Sequence, residues 1–269
     1  MANAGAGSHW KAVVDAIFAR QERIEAGEIP NDAALLCAKT FVSYHLMGSL
    51  VQSFAVQDGA LVMAYRYNAS QHSSNLNKLV GIIEGLLQKA KPAGANRLEM
   101  MMLSYQLTCQ QTEYDSSAVL QNAFGLLLFK KSVCYGWAEL YSQLLLQCGI
   151  DSIRVQGETL DGRAHGWVVA QIGDNWYHFD PTWDNSGRGK SLNYFAIPDT
   201  IRATKGLGAK LPIASTFDPF LPQAAPACTD GSFAAKFIIG IDYVVDVANH
   251  QIVYKLRTNG SRQTMSTVT

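Results

Sequence analysis

The sequence predicts an α+β fold in which a helix packs on an antiparallel sheet. Three observations predict it. Apolar residues recur at helical spacing through much of the first half of the chain. A strongly amphipathic segment, residues 134–147, is followed by three strand-like runs. The second and third of these runs are separated by a turn short enough for a hairpin, so they pair antiparallel. At 269 residues the chain suffices for one large domain, or one with an appendage. The expected divisions are a helical and hairpin segment over 1–96, a core over 97–205 and a strand-rich extension over 206–269.

Each element has a local reason. Ser8 is the expected cap of a first helix running to about Ala26, with Trp10, Val13, Val14, Ile17 and Phe18 on one face and Gly27 as the stop. After Pro30, Asn31 or Asp32 caps a second helix, AALLCAKTFVSYHLM. The period then changes: LVQSFAVQ and ALVMAYRY flank Asp58-Gly59, a strong hairpin signal. Ser74 precedes a helix with Leu76, Leu79, Ile83 and Leu86/Leu87 on one face, broken by Pro92 and Gly94. Further helices are expected from Arg97 to about Gln111 and over AVLQNAFGLLLF, with TEYDSS as a loop between them. From Cys134 to Gln147, the residues Trp137, Leu140, Tyr141, Leu144 and Leu145 form a buried stripe, and Gly149 ends the helix. DSIRVQGE, HGWVVAQI and WYHFD are the three strands, the last two joined through Gly173-Asp174-Asn175. A Pro-rich connector over 211–228 leads to late strands KFIIGIDYVVDV and HQIVYKLRT, and NGSRQTMSTVT is expected to fray.

Composition narrows the function classes. Nearly half the residues are apolar and 16% are charged, as in a globular enzyme. A formal net charge of zero, with no Lys/Arg block, predicts no electrostatic capture of nucleic acid or of an anionic membrane surface. No apolar run approaches the roughly 18 residues of a membrane span. The start MANAGAGSHW has neither a basic n-region nor an apolar h-region. A cytoplasmic protein is therefore expected, or a secreted one with its leader removed. The five cysteines are scattered without zinc-site spacing, so neither a metal nor a disulfide framework is expected. Cys37, Cys109 and Cys148 read as buried thiols.

Cys134 stands apart because it opens a helix. Unpaired N–H groups and the macrodipole at a helix N-terminus favour negative charge, as a thiolate requires. An imidazole and an orienting carboxylate would complete a nucleophilic site. If Gly173-Asp174 form a two-residue turn, Ile172 pairs with Asn175, Trp167 faces Asp180 and His165 faces Thr182. His165 and Asp180 are then diagonal neighbours on one face, within side-chain reach, whereas a slip of one residue separates them. His178 lies on the same expected face and is the rival base. The bland alternatives are a core thiol, a structural histidine and a carboxylate that bonds turn N–H groups. Trp167, Trp176 and Trp183 read as core or cleft wall, and Asp184 as a turn cap.

Several pieces of the chain, in order, resemble the transglutaminase-like superfamily, in particular its bacterial members. They are Val133-Cys134-Tyr135-Gly136-Trp137-Ala138, Gly149-Ile150, His165-Gly166-Trp167, Asp180-Pro181-Thr182-Trp183-Asp184 and YFAIPD. Glu113-Tyr114-Asp115 fits the segment that the family often places ahead of the cysteine helix. The resemblance covers about 100 residues, Leu98 through Asp199. It implies a papain-like, transglutaminase-like core with Cys134 as nucleophile, His165 as base and acid, and Asp180 as orienter. The chemistry requires no metal or organic cofactor, and although animal transglutaminases use calcium, no Ca²⁺-loop ligand pattern stands out. Tyr135, Trp167 and Trp183 are the expected substrate-binding residues, for a polypeptide or other amide substrate. The expected activity is acyl transfer through a thioester, resolved by water or by an amine. The alternatives are an inactive binding module and a small-molecule acyltransferase. The chain departs from the family pattern at Gly166, commonly Ala, and at Val168, often Asn.

Overall fold

The computed structural model describes residues 4–25, 27–111, 114–185, 191–204 and 225–268. Glu113 and most of the Pro-rich connector, up to residue 224, lie outside them. The chain divides into two compact units, Met1–Ile82 and Ile83–Thr269.

In the first unit, helix α1 (Ala4–Phe18) leads to strand β1 (Arg23–Glu25), helix α2 (Asn31–Tyr44) and a hairpin of β2 (Val51–Gln57) and β3 (Ala60–Tyr65). The sheet order is β1-β3-β2, antiparallel throughout. Asp58 and Gly59 both take positive φ, as a two-residue primed turn requires, and Gln57 pairs with Ala60. The first helix was expected from Ser8 to about Ala26. Instead it begins earlier and stops at Phe18, where Arg20 turns left-handed and the Gln21 N–H bonds back to the Ala16 carbonyl. The Tyr65 hydroxyl then donates to the Gln21 carbonyl at 2.6 Å, and residues 23–25 are drawn onto β3 as an edge strand. Helix α3 (Ala69–Ala90) also begins ahead of the expected Ser74, because the Asn68 side chain accepts the Gln71 N–H at 2.9 Å.

The second unit carries Cys134, His165 and Asp180. Asn96 and Glu99 form a reciprocal capping box at the start of α4 (Arg97–Cys109). Asn122 caps α5 (Ala123–Phe129), so AVLQ precedes that helix and is not part of it. Helix α6 runs Cys134–Gln147, and its stripe Trp137, Leu140, Tyr141, Leu144 and Leu145 is buried as the spacing predicts. Gly149 ends this segment at φ +75°. Next come β4 (Ser152–Glu158), β5 (Ala164–Ile172) and β6 (Asn175–Phe179), an antiparallel sheet in that order. The hairpin register is the expected one: Ile172 pairs with Asn175 and Val168 with Phe179. Only the first turn residue, Gly173, has positive φ, which fits a type II′ turn.

Short helices α7 (Pro181–Asp184), α8 (Asp199–Thr204) and α9 (Ser232–Phe237) follow, then β7 (Gly240–Asp246), β8 (Gln251–Leu256) and β9 (Arg262–Ser266). Two expectations fail here. Lys236 and Phe237, read as the start of a strand, close α9 instead. The supposedly frayed tail pairs as β9 along β8, and Thr267 is buried. Its hydroxyl hydrogen-bonds the buried Glu99 carboxylate and accepts from the Asn96 side-chain amide at 2.9 Å. Leu98, Met102, Tyr105, Tyr141, Leu145, Val168, Phe179, Tyr243 and Ile252 share one core, so α4, α6, the central sheet and the last sheet are packed together. Among the described residues, no helix is long and apolar enough to cross a membrane. The result is the mixed helix-and-sheet fold with antiparallel sheets that the sequence predicts.

Candidate active site

Cys134 is the first residue of α6, and the residue ahead of it, Val133, offers no side-chain cap. The first-turn N–H groups therefore face the thiol end without a competing side-chain oxygen. The helix start lies close under the preceding segment. A Cβ on Gly136 would collide with the Ser132 side chain and come within 2.9 Å of the Asn122 carbonyl, so only glycine lets α6 begin here. Glu139, one turn further along, accepts the Ala123 N–H at 2.8 Å and pairs with Arg154 of β4. That brace fixes α6 against both α5 and the sheet.

The hairpin delivers the other two groups. His165 near the start of β5 and Asp180 just beyond β6 meet at 2.6 Å, Nε2 to Oδ2. The Cys134 sulfur stands close enough to the His165 ring to act on its charge. All three residues are almost wholly buried, at 3%, 4% and 0% exposure for Cys134, His165 and Asp180. Burial alone would pull the His165 pKa down. The Asp180 carboxylate and the Cys134 sulfur overcome it and raise the value to about 10. The imidazole is thus held as a cation at neutral pH.

Asp180 divides its two oxygens. Oδ2 takes the imidazole, while Oδ1 accepts the Thr182 and Trp183 N–H groups at 3.0 and 3.3 Å as the cap of α7. The turn-bonding alternative and a hydrogen bond to the His165 imidazole are therefore both present in one side chain. Around it stands a set of residues to which sequence reasoning gave no part in holding the Asp180 corner. The Tyr105 hydroxyl lies 2.8 Å from the Asp180 carbonyl and 2.7 Å from the Asp184 carboxylate. Asp184 also accepts from Ser191 Oγ and from the N–H groups of Asn193 and Tyr194. The Tyr194 carbonyl in turn takes the Asp180 N–H at 2.9 Å. Asp184, expected to cap a turn, is instead a buried knot that holds residues 191–194 against the Asp180 corner. Burial pushes its carboxyl up to about 6 despite those donors.

The expected substrate-binding residues part company. Tyr135 is half-buried with its ring against the β5 backbone: a Cβ on Gly166 would lie 2.7 and 2.8 Å from two of its ring carbons. The glycine that departs from the family pattern makes room for this ring. Burial, then the nearby Cys134, raises the phenol of Tyr135, and the same two causes act on Tyr114, whose exposed ring stacks on Trp137 at 6.3 Å. Both phenols therefore stand near the sulfur. Trp183 is partly exposed, with its ring 5.1 Å from that of His165. Trp167 is fully buried, so in this conformation it backs the imidazole from inside the core and does not line a groove. Its burial follows from its β5 position on the sheet face that packs inward.

The rival base is committed elsewhere. His178 Nδ1 accepts the Trp167 indole N–H at 3.0 Å, and Nε2 bonds Asp199 at 3.0 Å. With Cys228 these form a group of metal-ligand type whose donor atoms lie within 4.8 Å of one another. The indole N–H requires Nδ1 to be without a proton, which puts the imidazole proton on Nε2, facing Asp199. A cation would have to displace that proton, so these residues fit a hydrogen-bonded chain better than a metal centre.

No protein-family model matches the chain, and no curated protein does. Solved structures do. A structure described as a TGase shares 14% identity, with 48% of this chain and 43% of that one covered and a TM-score of 0.35. One described as a "Putative Cysteine Protease" from Cytophaga hutchinsonii shares 16% identity over 49% and 61%, with a TM-score of 0.34. An arylamine N-acetyltransferase from Salmonella typhimurium shares 12% identity over 68% and 61%, with a TM-score of 0.26. This chain is similar to each of them and spans less than two thirds of each. At these TM-scores the likeness carries no functional argument.

Proposed function

We propose that the protein catalyses cysteine-dependent acyl transfer on an amide substrate through a thioester. One observation carries this reading: a single buried imidazole is hydrogen-bonded to a carboxylate at 2.6 Å and stands beside the sulfur of a helix-start cysteine, which helps to raise its pKa. In the cycle, the Cys134 sulfur attacks the carbonyl carbon and the electron pair moves to oxygen. Backbone N–H at the start of α6, that of Cys134 foremost, receives the oxyanion. His165 gives its proton to the departing amine as the C–N bond breaks, leaving a thioester and a neutral imidazole. Water or a second amine then attacks, His165 takes its proton, and the sulfur leaves. Asp180 stabilises the imidazolium and fixes which nitrogen faces the sulfur. Tyr135 and Trp183, at the mouth of the site, are the residues that meet the substrate.

Alkylation of the five cysteines by iodoacetamide across pH tests this. Cys134 should react at pH 6 about a hundred times faster than buried Cys109, because it alone has an imidazolium and a helix start beside it. His165→Ala should remove that advantage. Uniformly slow labelling would refute the enzymatic reading and leave a binding module. An amide donor assayed with and without a primary amine then separates hydrolysis from cross-linking.

A further inference from the structure

The Trp167 indole connects the candidate site to a second histidine–carboxylate pair. Trp167 follows His165 by two residues on β5, so both side chains lie on the same sheet face. Their rings are offset-stacked at 5.8 Å and 23°. On β6, His178 pairs with Val169 and is therefore a diagonal neighbour of Trp167. A fully buried indole N–H needs an acceptor, and the one it has is His178 Nδ1, at 3.0 Å. His178 can accept there only as the tautomer with its proton on Nε2, and Asp199 at 3.0 Å selects that tautomer. Asp199 is itself fixed, since its other oxygen takes the Cys228 N–H at 2.8 Å.

We propose that His178 and Asp199 are positioning residues for the acyl-transfer reaction, holding the Trp167 ring as the back wall that sets the angle of the His165 imidazole. The inference rests on the proposed function and extends it. His165 is tied at Nε2 by Asp180, and a ring held at one atom can still tilt about that bond. A flat surface behind it removes the tilt, provided that surface cannot itself rotate. The indole N–H bond to His178 stops Trp167 from turning, and the Asp199 bond stops His178 from presenting a second N–H to the indole. Asp199 is the last residue of YFAIPD, which gives that motif a physical task.

A double-mutant cycle tests the link, with iodoacetamide at pH 6 as the probe of Cys134 in the full-length protein. His178→Leu should slow alkylation about ten-fold, since the indole loses its acceptor and turns in search of another. His178→Gln, which keeps a carbonyl acceptor, should retain most of the rate. In a Trp167→Phe background, where no N–H needs an acceptor, His178→Leu should change the rate less than about two-fold. An equal effect in both backgrounds, or none in either, overturns the proposal. If His178→Leu does not fold, ¹⁵N–¹H correlation spectra of the wild-type imidazoles decide: His178 protonated on Nε2 alone supports the chain, and a proton on Nδ1 overturns it. Wild-type Cys134 labelling no faster than Cys109 would refute the acyl-transfer reading itself, and the positioning role with it.

Discussion

Gly166→Ala is the sharpest test of the site's packing. The added methyl carbon would lie 2.7 and 2.8 Å from two ring carbons of Tyr135. Carbon atoms rest at about 3.5–4.0 Å, so ring and strand must separate by roughly 1 Å. The backbone of β5 resists yielding, because Gly166 is paired with Gln156 of β4 and the strand is paired with β6 as well from Val168 onward. The Tyr135 ring has to swing, and overpacking of this kind costs about 1–3 kcal/mol. For a unit of this size, that is a fall of about 2–12 °C in Tm. The assay is thermal unfolding of four proteins: wild type, Gly166→Ala, Tyr135→Ala and the double variant. With the ring removed, the three atoms nearest the methyl group are gone, and Gly→Ala should become neutral or stabilise by up to about 1 kcal/mol by restricting the unfolded chain. A coupling of at least 1 kcal/mol is therefore expected. Costs that add to within about 0.5 kcal/mol would refute the steric account of why glycine stands here.

Three further outcomes follow from the same contacts. Because the folded His165 pKa of about 10 lies above its ordinary 6.5, its stabilisation is complete below 6.5 and is lost as pH climbs through 10. Urea midpoints should fall across that window in the wild type and lose the slope in His165→Gln. Asp184 is a carboxyl raised from 3.8 to about 6, so its ionisation opposes folding by about 3 kcal/mol at neutral pH. Stability should therefore decline between pH 3.8 and 6, and Asp184→Asn should remove that part of the decline. Thr267→Val strips a hydroxyl from the buried Glu99 carboxylate and an acceptor from Asn96, which should cost about 1–3 kcal/mol. Amide exchange in β9 should accelerate with it, and an unchanged exchange rate would return the tail to the frayed reading.

What the sequence reveals and what it conceals follow one physical line. Features fixed by neighbours within a few residues are legible: the Asp58-Gly59 and Gly173-Asp174 turns, the α6 stripe and the Gly149 stop. The hairpin arithmetic that brings His165 to Asp180 is of this kind, because a two-residue turn leaves no freedom in register. Features fixed by distant partners are not. Residues 262–266, Arg-Gln-Thr-Met-Ser, have no apolar alternation, and they are a strand only because β8 offers an edge. The end of α1 depends on Tyr65, more than forty residues away, accepting the job of bonding the Gln21 carbonyl. Trp167 reads as core or cleft wall from its motif, and which of the two it is, with its acceptor, is set by its partners on β6 and at the start of α8. The one sequence signal that did point inward was a departure: glycine at position 166 made sense only once Tyr135 was seen lying on it.

The competing readings of Asp180 show why a structural explanation of a residue does not exclude a chemical one. A carboxylate has about four lone-pair directions, and a turn of two residues consumes only those of one oxygen. Oδ1 is spent on the Thr182 and Trp183 N–H groups, which locks χ1 and aims Oδ2 at His165. Removing the turn bonds would leave the charge in place and lose the aim. Asp184 and Tyr105 then hold the chain on either side of that corner. On the proposed function, the carboxylate that binds the imidazole has its direction set before a substrate arrives, so His165 would pass a proton without first reorganising its surroundings.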